Sequence, residues 1–194
     1  QTQFQLRPIR NVIVKQNTPK DDDSSVYEIF SRLNSGGINL RPQEIRTSLY
    51  HSPFYDMLHR INSSPEWRRL LGTAQPDLHM KDVEILLRGF AMLIDGENYA
   101  PSMVKFLNQF SKKCQTHDSE QNEYLKQLFH SFLSGGRELD SNTFLGRVTN
   151  RFNLALFEAV FVAACEPAFS KRGMVEAQLE ERLVVEGDVG HGVV

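Results

Sequence analysis

Apolar residues recur at helical spacing through the second half of the chain and predict four long helices. Three stripes run from Met80 to Leu93, from Met103 to Phe110 and from Tyr124 to Leu133, and the third ends at a pair of glycines. The fourth segment, Leu154 to Cys165, is apolar on nearly every face apart from Glu158. A helix with this pattern is typical of the centre of a bundle, and we place it there.

Shorter helices are predicted upstream by their start signals. Ser25 and Glu28 form a capping box for a helix that ends near Leu33, before a turn that contains two glycines. Proline suits the first position of a helix. Three further short helices begin at prolines, namely Pro42, Pro53 and Pro65. The predicted helical region therefore covers residues 24–169 and contains about eight helices.

The two ends of the chain depart from this helical pattern. Residues 9–15 are rich in β-branched side chains and predict one strand. Residues 170–194 contain no aromatic residue and many charges and glycines, which predicts a polar, flexible tail. The sequence therefore predicts a mainly α domain over residues 1–169, a helical bundle with a single N-terminal strand.

Composition excludes several classes of protein. The 194 residues include 22 basic and 24 acidic side chains, a net charge of −2 that gives no general attraction for nucleic acid. Cys114 and Cys165 have no metal-ligand spacing, and no apolar segment reaches the roughly 20 residues of a membrane span. These features are typical of a cytoplasmic protein with reduced thiols and no membrane partner.

The motifs of the common enzyme classes do not occur in the sequence. There is no P-loop or GxGxxG phosphate loop, no HExxH pair and no CxxC pair. The six histidines are scattered, and no serine or cysteine lies in a known nucleophile motif. By their own chemistry the residues indicate neither catalysis nor a metal site.

The most informative segment is the turn between the first two predicted helices, from Asn34 to Arg46. One interpretation is structural: the glycines close the turn, Leu40 fills the corner and the charges are solvated. The other is functional: Asn34, the backbone amides of the turn and Arg46 face an anion such as a phosphate. The local physics favours the structural interpretation.

The same segment resembles a family signature. Phe30, Asn34, Gly37 and Leu40, followed by Gln43-Glu44-Ile45-Arg46, are similar to the second signature of a bacterial family. This family includes the N-terminal domain of the GmrSD type IV restriction endonucleases. Four further stretches fit the family's order between residues 9 and 165: Leu49 to Phe54, Glu84 to Ala91, Tyr99 with Phe106 to Asn108, and Phe152 to Ala159.

The resemblance implies a ParB/sulfiredoxin-like core with an appended helical region, which binds and hydrolyses nucleoside triphosphates in defence against foreign, modified DNA. It implies GTP or ATP with magnesium as the cofactor of the intact parent. The family's catalytic motif, Asp-Gly-Gln-Gln-Arg, does not occur in this chain. We therefore expect a fragment that contacts DNA only indirectly. We also expect it to be inactive without two partners, an N-terminal catalytic segment and a C-terminal nuclease domain of the HNH type.

On this resemblance, Arg32, Asn34 and Arg46 lie near the nucleotide, where they contact and position phosphates without transferring protons. Other signature residues have structural roles, namely Phe30, Gly37, Leu40 and Glu44. The alternative from another class is a non-catalytic, all-helical protein-interaction module, in which the signature serves packing alone. A cavity shared by Asn34 and Arg46 would favour the nucleotide hypothesis.

Two lone charges, Arg88 and Glu158, stand within the most apolar helices. An unpaired buried charge is very unfavourable. We therefore expect Arg88 to meet a carboxylate across the bundle, Glu158 first or Glu84 second. A tie between helices explains this pair more simply than a ligand site does.

A third hypothesis, DNA binding, depends on a basic cluster beside Trp67. The cluster consists of Arg60, Arg68 and Arg69. A solvated helix face with Trp67 anchored in the core explains the same residues more simply, and the net charge of −2 does not favour a DNA surface.

Overall fold

A computed structural model describes residues 13, 24–33, 40–137, 139, 142–146, 149 and 151–176. Within these ranges the protein is mainly α, as predicted, with eight α-helices. The only β pairing in the same ranges is an isolated bridge between Leu145 and Phe152. The strand predicted over residues 9–15 lies outside the described residues except for Ile13.

The chain divides into two compact units, residues 1–40 and residues 41–194. The first unit contains α1 (Ser24–Leu33). The second contains α2 (Pro42–Leu49), α3 (Pro53–Asn62), α4 (Pro65–Leu71), α5 (Lys81–Asp95), a 3-10 turn (Gly96–Asn98), α6 (Met103–Cys114), α7 (Ser119–Gly135) and α8 (Leu154–Ser170).

The helix starts follow local sequence chemistry. The three helices α2, α3 and α4 each have proline at the first position, where its fixed φ and missing N–H are tolerated. Asp118 caps α7 by accepting a hydrogen bond from the Gln121 N–H at 2.7 Å. Met80, the first residue of the predicted apolar stripe, instead precedes α5 with a left-handed φ of 58°.

The central helix of the second unit is α5, and the prediction that Leu154 to Cys165 occupies the centre is wrong. Helix α5 packs against α2, α3, α6 and α8. Helix α8 buries one face against α5 and α7, but Ala155, Ala159 and Ala163 on its other side are exposed. The alanines made α8 look apolar all round, yet their methyl groups are so small that exposing them is tolerated.

Aromatic rings fill the space between α5, α7 and α8. Phe157 and Phe161 of α8 stack with ring centroids 5.7 Å apart. The Trp67 ring is fully buried, as predicted, and lies against Phe129 and Phe157. Such offset and edge-to-face pairs are favoured by the ring quadrupole in addition to the area that they bury.

The first residues of the predicted tail, 171–176, lie against helix α7. The chain after Ser170 first returns along α7, where Tyr124 donates a hydrogen bond to the Gly173 carbonyl at 3.2 Å. The Val175 N–H donates to the Ser131 Oγ at 3.0 Å. Residues 171–176 are thus partly packed, because Met174 and Val175 supply apolar contacts that the composition of the whole tail concealed. Among the described residues, no helix is both long and apolar enough to cross a membrane.

Helices α5 and α8 approach each other closely at Gly89 in α5. A Cβ built at this position would lie 3.1 Å from the Phe161 Cδ1 and 3.3 Å from the Phe157 Cε1. Since both rings are fully buried, they have little room to move away. The absence of a side chain at Gly89 therefore sets the distance between α5 and α8.

Gly89→Val should lower the free energy of unfolding by about 2 kcal/mol, because added carbons in a packed core force rings and backbone apart. Urea unfolding followed by circular dichroism measures this change. Gly96→Val is the matched control, since a Cβ there meets only the Met92 Cε at 3.9 Å. We expect the control to change stability by less than about 0.5 kcal/mol. Unchanged stability of Gly89→Val would contradict the close approach.

The two thiols are fully buried on α6 and α8 and are not bonded to each other. Burial raises the pKa of Cys165 to about 12 and the pKa of Cys114 even further from its usual range. The folded state therefore favours the neutral thiols. This contribution to stability is complete below the unfolded pKa of about 8.5 and is lost as the pH rises toward the folded values.

We therefore expect neither cysteine to react with an aromatic disulfide reagent at pH 8 until the protein unfolds in urea, when both react. The free energy of unfolding should also fall between pH 8 and pH 10. In the double variant Cys114→Ala with Cys165→Ala, the free energy of unfolding should fall less over this pH range than it does in the wild type. Rapid reaction of one thiol in the native protein would contradict the burial of that thiol.

Candidate functional site

A pocket of about 530 Å³ opens where three helices of the second unit begin. The first turns of α2, α5 and α6 all contribute to its wall. Four basic side chains face it against two carboxylates, together with one histidine and an apolar patch. The lining residues are Arg41, Pro42, Gln43, Arg46, Asp77, His79, Lys81, Glu84, Arg88, Met103, Val104 and Leu107.

Arg46 is the central polar group of this pocket, and only 1% of it is exposed. Its Nε donates a hydrogen bond to the Asn108 Oδ1 at 2.9 Å. Its Nη1 donates to the Gln43 Oε1 and, at 3.4 Å, to the Glu84 Oε2. Among the described residues every side-chain hydrogen bond of Arg46 is donated by Nε or Nη1, so the N–H groups of Nη2 are uncommitted.

The position of Arg46 follows from the helices that meet there. Gln43 lies one turn earlier on α2, Glu84 on the first turn of α5, and Asn108 on α6. A guanidinium carries five N–H groups in a rigid plane, so partners on three helices fix its orientation. The group is therefore held in place before any ligand arrives.

Tyr55 lies next to this network and does not neutralise it. The Tyr55 hydroxyl is hydrogen-bonded to the Ser111 Oγ at 2.9 Å. Burial raises the pKa of Tyr55 to about 12, while the Ser111 hydrogen bond and the Arg46 charge oppose this rise. The phenol is thus neutral at physiological pH, and Glu84 supplies the only carboxylate contact of Arg46 among the described residues.

Glu44 caps the helix that carries Arg46. Its Oε2 accepts a hydrogen bond from the Arg41 N–H at 2.6 Å and lies 3.3 Å from the His79 Nδ1. A carboxylate in the first turn also suits the positive end of the helix dipole. The structural role that the signature assigns to Glu44 thus has a local explanation, the N-terminal cap of α2.

A buried ion pair positions the loop that brings Asp77 and His79 to the pocket. The Arg68 Nη2 lies 2.9 Å from the Asp82 Oδ2, and both side chains are buried. The same Asp82 oxygen accepts a hydrogen bond from the Asp77 N–H at 2.9 Å. The Arg68 Nη1 donates to the Gln75 carbonyl at 3.1 Å, so the pair holds the loop at two points.

This arrangement corrects the predicted basic cluster. Arg68 is buried beneath the loop, and Arg69 donates to the carbonyls of Leu139 and Gly136 at 3.3 and 3.4 Å. Only Arg60 is exposed without such a tie, so the three arginines do not form one surface for nucleic acid. Asp82 is a lone charge on the apolar face of α5, and the rule applied to Arg88 would have found it.

Arg88 and Glu158 meet across the bundle, the first-choice pair of the sequence analysis. The Arg88 Nε donates to one carboxylate oxygen of Glu158, and Nη2 donates to the other at 3.1 Å. The side chains are 21% and 15% exposed, so the pair is partly rather than fully buried. Arg88 also lines the pocket, whereas Glu84, the second choice, lies against Arg46.

The other predicted site residues belong to the first unit of the chain. Arg32 is exposed on α1 and pairs with Glu28 at 2.5 Å. Phe30 lies on the same helix, and Leu40 is half-buried. Asn34 and Gly37 lie outside the described residues, so a cavity shared by Asn34 and Arg46 stays a prediction.

The pocket is suited to binding an anion. Guanidinium and ammonium groups are donors only, and clustered cations with a fixed fork match phosphate or carboxylate oxygens. Within the described part of the chain, no group of three or more His, Cys, Asp or Glu side chains is placed to hold a metal ion.

Comparisons with protein-family models, curated proteins and solved structures find no match to this chain.

Replacing Arg88 with Met and Glu158 with Gln, singly and together, should give a coupling free energy of about 2 kcal/mol, because a bidentate charged pair is strong when partly desolvated. Urea unfolding of the four proteins measures this double-mutant cycle. The exposed pair of Glu123 and Lys126 on α7 is the control, and its coupling should be much smaller. Additive effects at Arg88 and Glu158 would contradict the pairing.

Proposed function

We propose that the pocket around Arg46 binds the phosphate groups of a nucleoside triphosphate. The observation that carries the proposal is the buried guanidinium of Arg46, which lines the pocket and has an uncommitted Nη2. Nη2 is not a buried atom without a partner, so its N–H groups are open to the pocket, where an anion can accept from them. Phosphate oxygens match the planar fork of an arginine and accept from several donors at once.

The surrounding charges leave a small excess of positive charge at the pocket, which favours an anion. Arg41 and Lys81 are exposed at the pocket, while its carboxylates are Asp77 and Glu84. The first turns of three helices add the positive ends of their dipoles, each a modest favourable term for an anion. The volume of about 530 Å³ is typical of a small-molecule site.

The resemblance to the GmrSD N-terminal domain supports the same residue. Arg46 is the last residue of the signature that resembles this family, and the same residue lines the pocket. We infer a helical part of such a nucleotide-binding domain, in a cytoplasmic, modification-dependent restriction or phage-defence protein. In the parent, GTP or ATP with magnesium would be bound together with the Asp-Gly-Gln-Gln-Arg segment, and a nuclease domain would act on DNA.

A second function, a non-catalytic helical interaction module, is favoured by one observation. Arg46 already has partners on three helices through Gln43, Glu84 and Asn108, as a purely structural tie would. The two proposals differ in what they expect of the pocket. A structural tie stabilises the fold and has no affinity for phosphates.

The test is titration calorimetry of GTP and ATP, each with magnesium, on this chain. Arg46→Lys should weaken binding about tenfold or more, because it removes the fork and its charged hydrogen bonds. Lys81→Ala at the exposed edge should weaken binding by about two- to threefold. The matched control is Lys171→Ala. Lys171 is exposed but does not line the pocket, so this variant should bind the nucleotides like the wild type.

The stability of each variant is measured in parallel, because Arg46 also ties helices together. Loss of affinity in Lys81→Ala with unchanged stability supports a binding role independently of Arg46. Absence of binding by the wild-type chain, or equal affinity of all variants, would contradict the nucleotide proposal and favour the interaction module.

A further inference from the structure

One wall of the pocket is apolar and offers no hydrogen bond to a phosphate. It comes from the start of α6 and consists of Met103, Val104 and Leu107. Leu107 is buried and Met103 is half-buried, but 44% of Val104 is exposed. The pocket thus contains open apolar surface facing the same space as Arg46.

The two chemistries lie on different helices. The cations Arg46 and Lys81 come from α2 and α5, and the apolar side chains come from α6. The side chains of Met103, Val104 and Leu107 offer no N–H or O–H donor to an anion. A ligand that satisfies both walls has an anionic group at one end and a flat or compact apolar group at the other.

The size of the pocket agrees with such a ligand. One water molecule takes about 30 Å³ of liquid volume. A volume of about 530 Å³ therefore has room for more than a phosphate group beside Arg46. A ligand that covers the open apolar surface gains binding free energy, because that surface is removed from water.

We propose that the wall formed by Met103, Val104 and Leu107 holds the base of a nucleoside triphosphate whose phosphates lie at Arg46. This inference depends on the proposed function and adds the part of the ligand that α6 recognises. Because the wall has no hydrogen-bonding side chains, it holds the base by apolar contact and does not read its edge. A base held by this wall alone is therefore bound with similar affinity whether it is adenine or guanine.

The experiment compares ATP, GTP and inorganic tripolyphosphate by titration calorimetry on this chain, each with magnesium. Val104→Thr keeps the shape of the side chain and replaces one methyl group with a hydroxyl. It should weaken both nucleotides about fivefold, the loss expected for roughly one buried methyl group. It should leave the affinity for tripolyphosphate unchanged. Val162→Thr on α8, which does not line the pocket, is the control.

The outcomes separate this inference from the proposed function. Stronger binding of both nucleotides than of tripolyphosphate, with the selective effect of Val104→Thr, supports a base-binding wall. Equal binding of all three ligands, with no effect of Val104→Thr, overturns the wall and leaves phosphate binding at Arg46 intact. A preference between ATP and GTP of about tenfold or more overturns the inference, because such discrimination needs polar groups at the base edge. Absence of binding by all three overturns both proposals.

Discussion

The contact between the backbone of α5 at Gly89 and the stacked rings of Phe157 and Phe161 sets the geometry of the second unit. A side chain at position 89 would have to move α5 away from α8. The neighbouring residue Arg88 reaches Glu158, which itself follows Phe157, so one approach determines both the ring packing and the ion pair. The apolar contact therefore decides where the charged contact can form.

The charged residues of α5 then connect this core to the pocket. Asp82 and Glu84 lie in the first turn of α5, and Arg88 follows one turn after Glu84. Each pairs with an opposite charge on a different helix: Arg68 on α4, Arg46 on α2 and Glu158 on α8. Removing one partner would leave an uncompensated charge in a partly dry environment, which is strongly destabilising. Through these three pairs, α5 fixes the positions of the loop, the pocket and α8 relative to one another.

The ion pairs of α5 also order the pocket before a ligand binds. The groups that line the pocket are fixed by contacts that do not involve a ligand: Arg46 by three helices, and the loop of Asp77 by the pair of Arg68 and Asp82. A ligand loses less affinity to the ordering of side chains when the site is already ordered. Preorganisation of this kind is what a site for a charged ligand requires.

The parts of the fold that the sequence predicted well are those that local chemistry decides. Pro42, Pro53 and Pro65 begin helices because of their own φ angle and missing N–H, whatever surrounds them. Arg88 was matched to Glu158 because a lone charge on an apolar helix needs a partner somewhere in the core.

Features decided by packing were missed. The sequence from Leu154 to Cys165 does not indicate which alanines face solvent. The sequence likewise predicts Arg68 at the surface, whereas in the fold α5 brings Asp82 beside it. The pocket is a further case, because it is built from the first turns of three helices that are separated by tens of residues in sequence. Only the contacts among α2, α5 and α6 bring them together.

The shape of the Arg46 side chain is compatible with both its structural role and the proposed binding role. A lysine at this position would offer one ammonium group, and partners on the protein would compete with a ligand for it. The guanidinium instead presents separate edges. Nε and Nη1 are engaged by Gln43, Glu84 and Asn108, whereas Nη2 is uncommitted among the described residues. The contacts that hold Arg46 rigid therefore do not consume the donors that a phosphate would use. For this reason, the hydrogen bonds to three helices are not an argument against a ligand; they are the means by which a buried cation is kept at the pocket in the correct orientation.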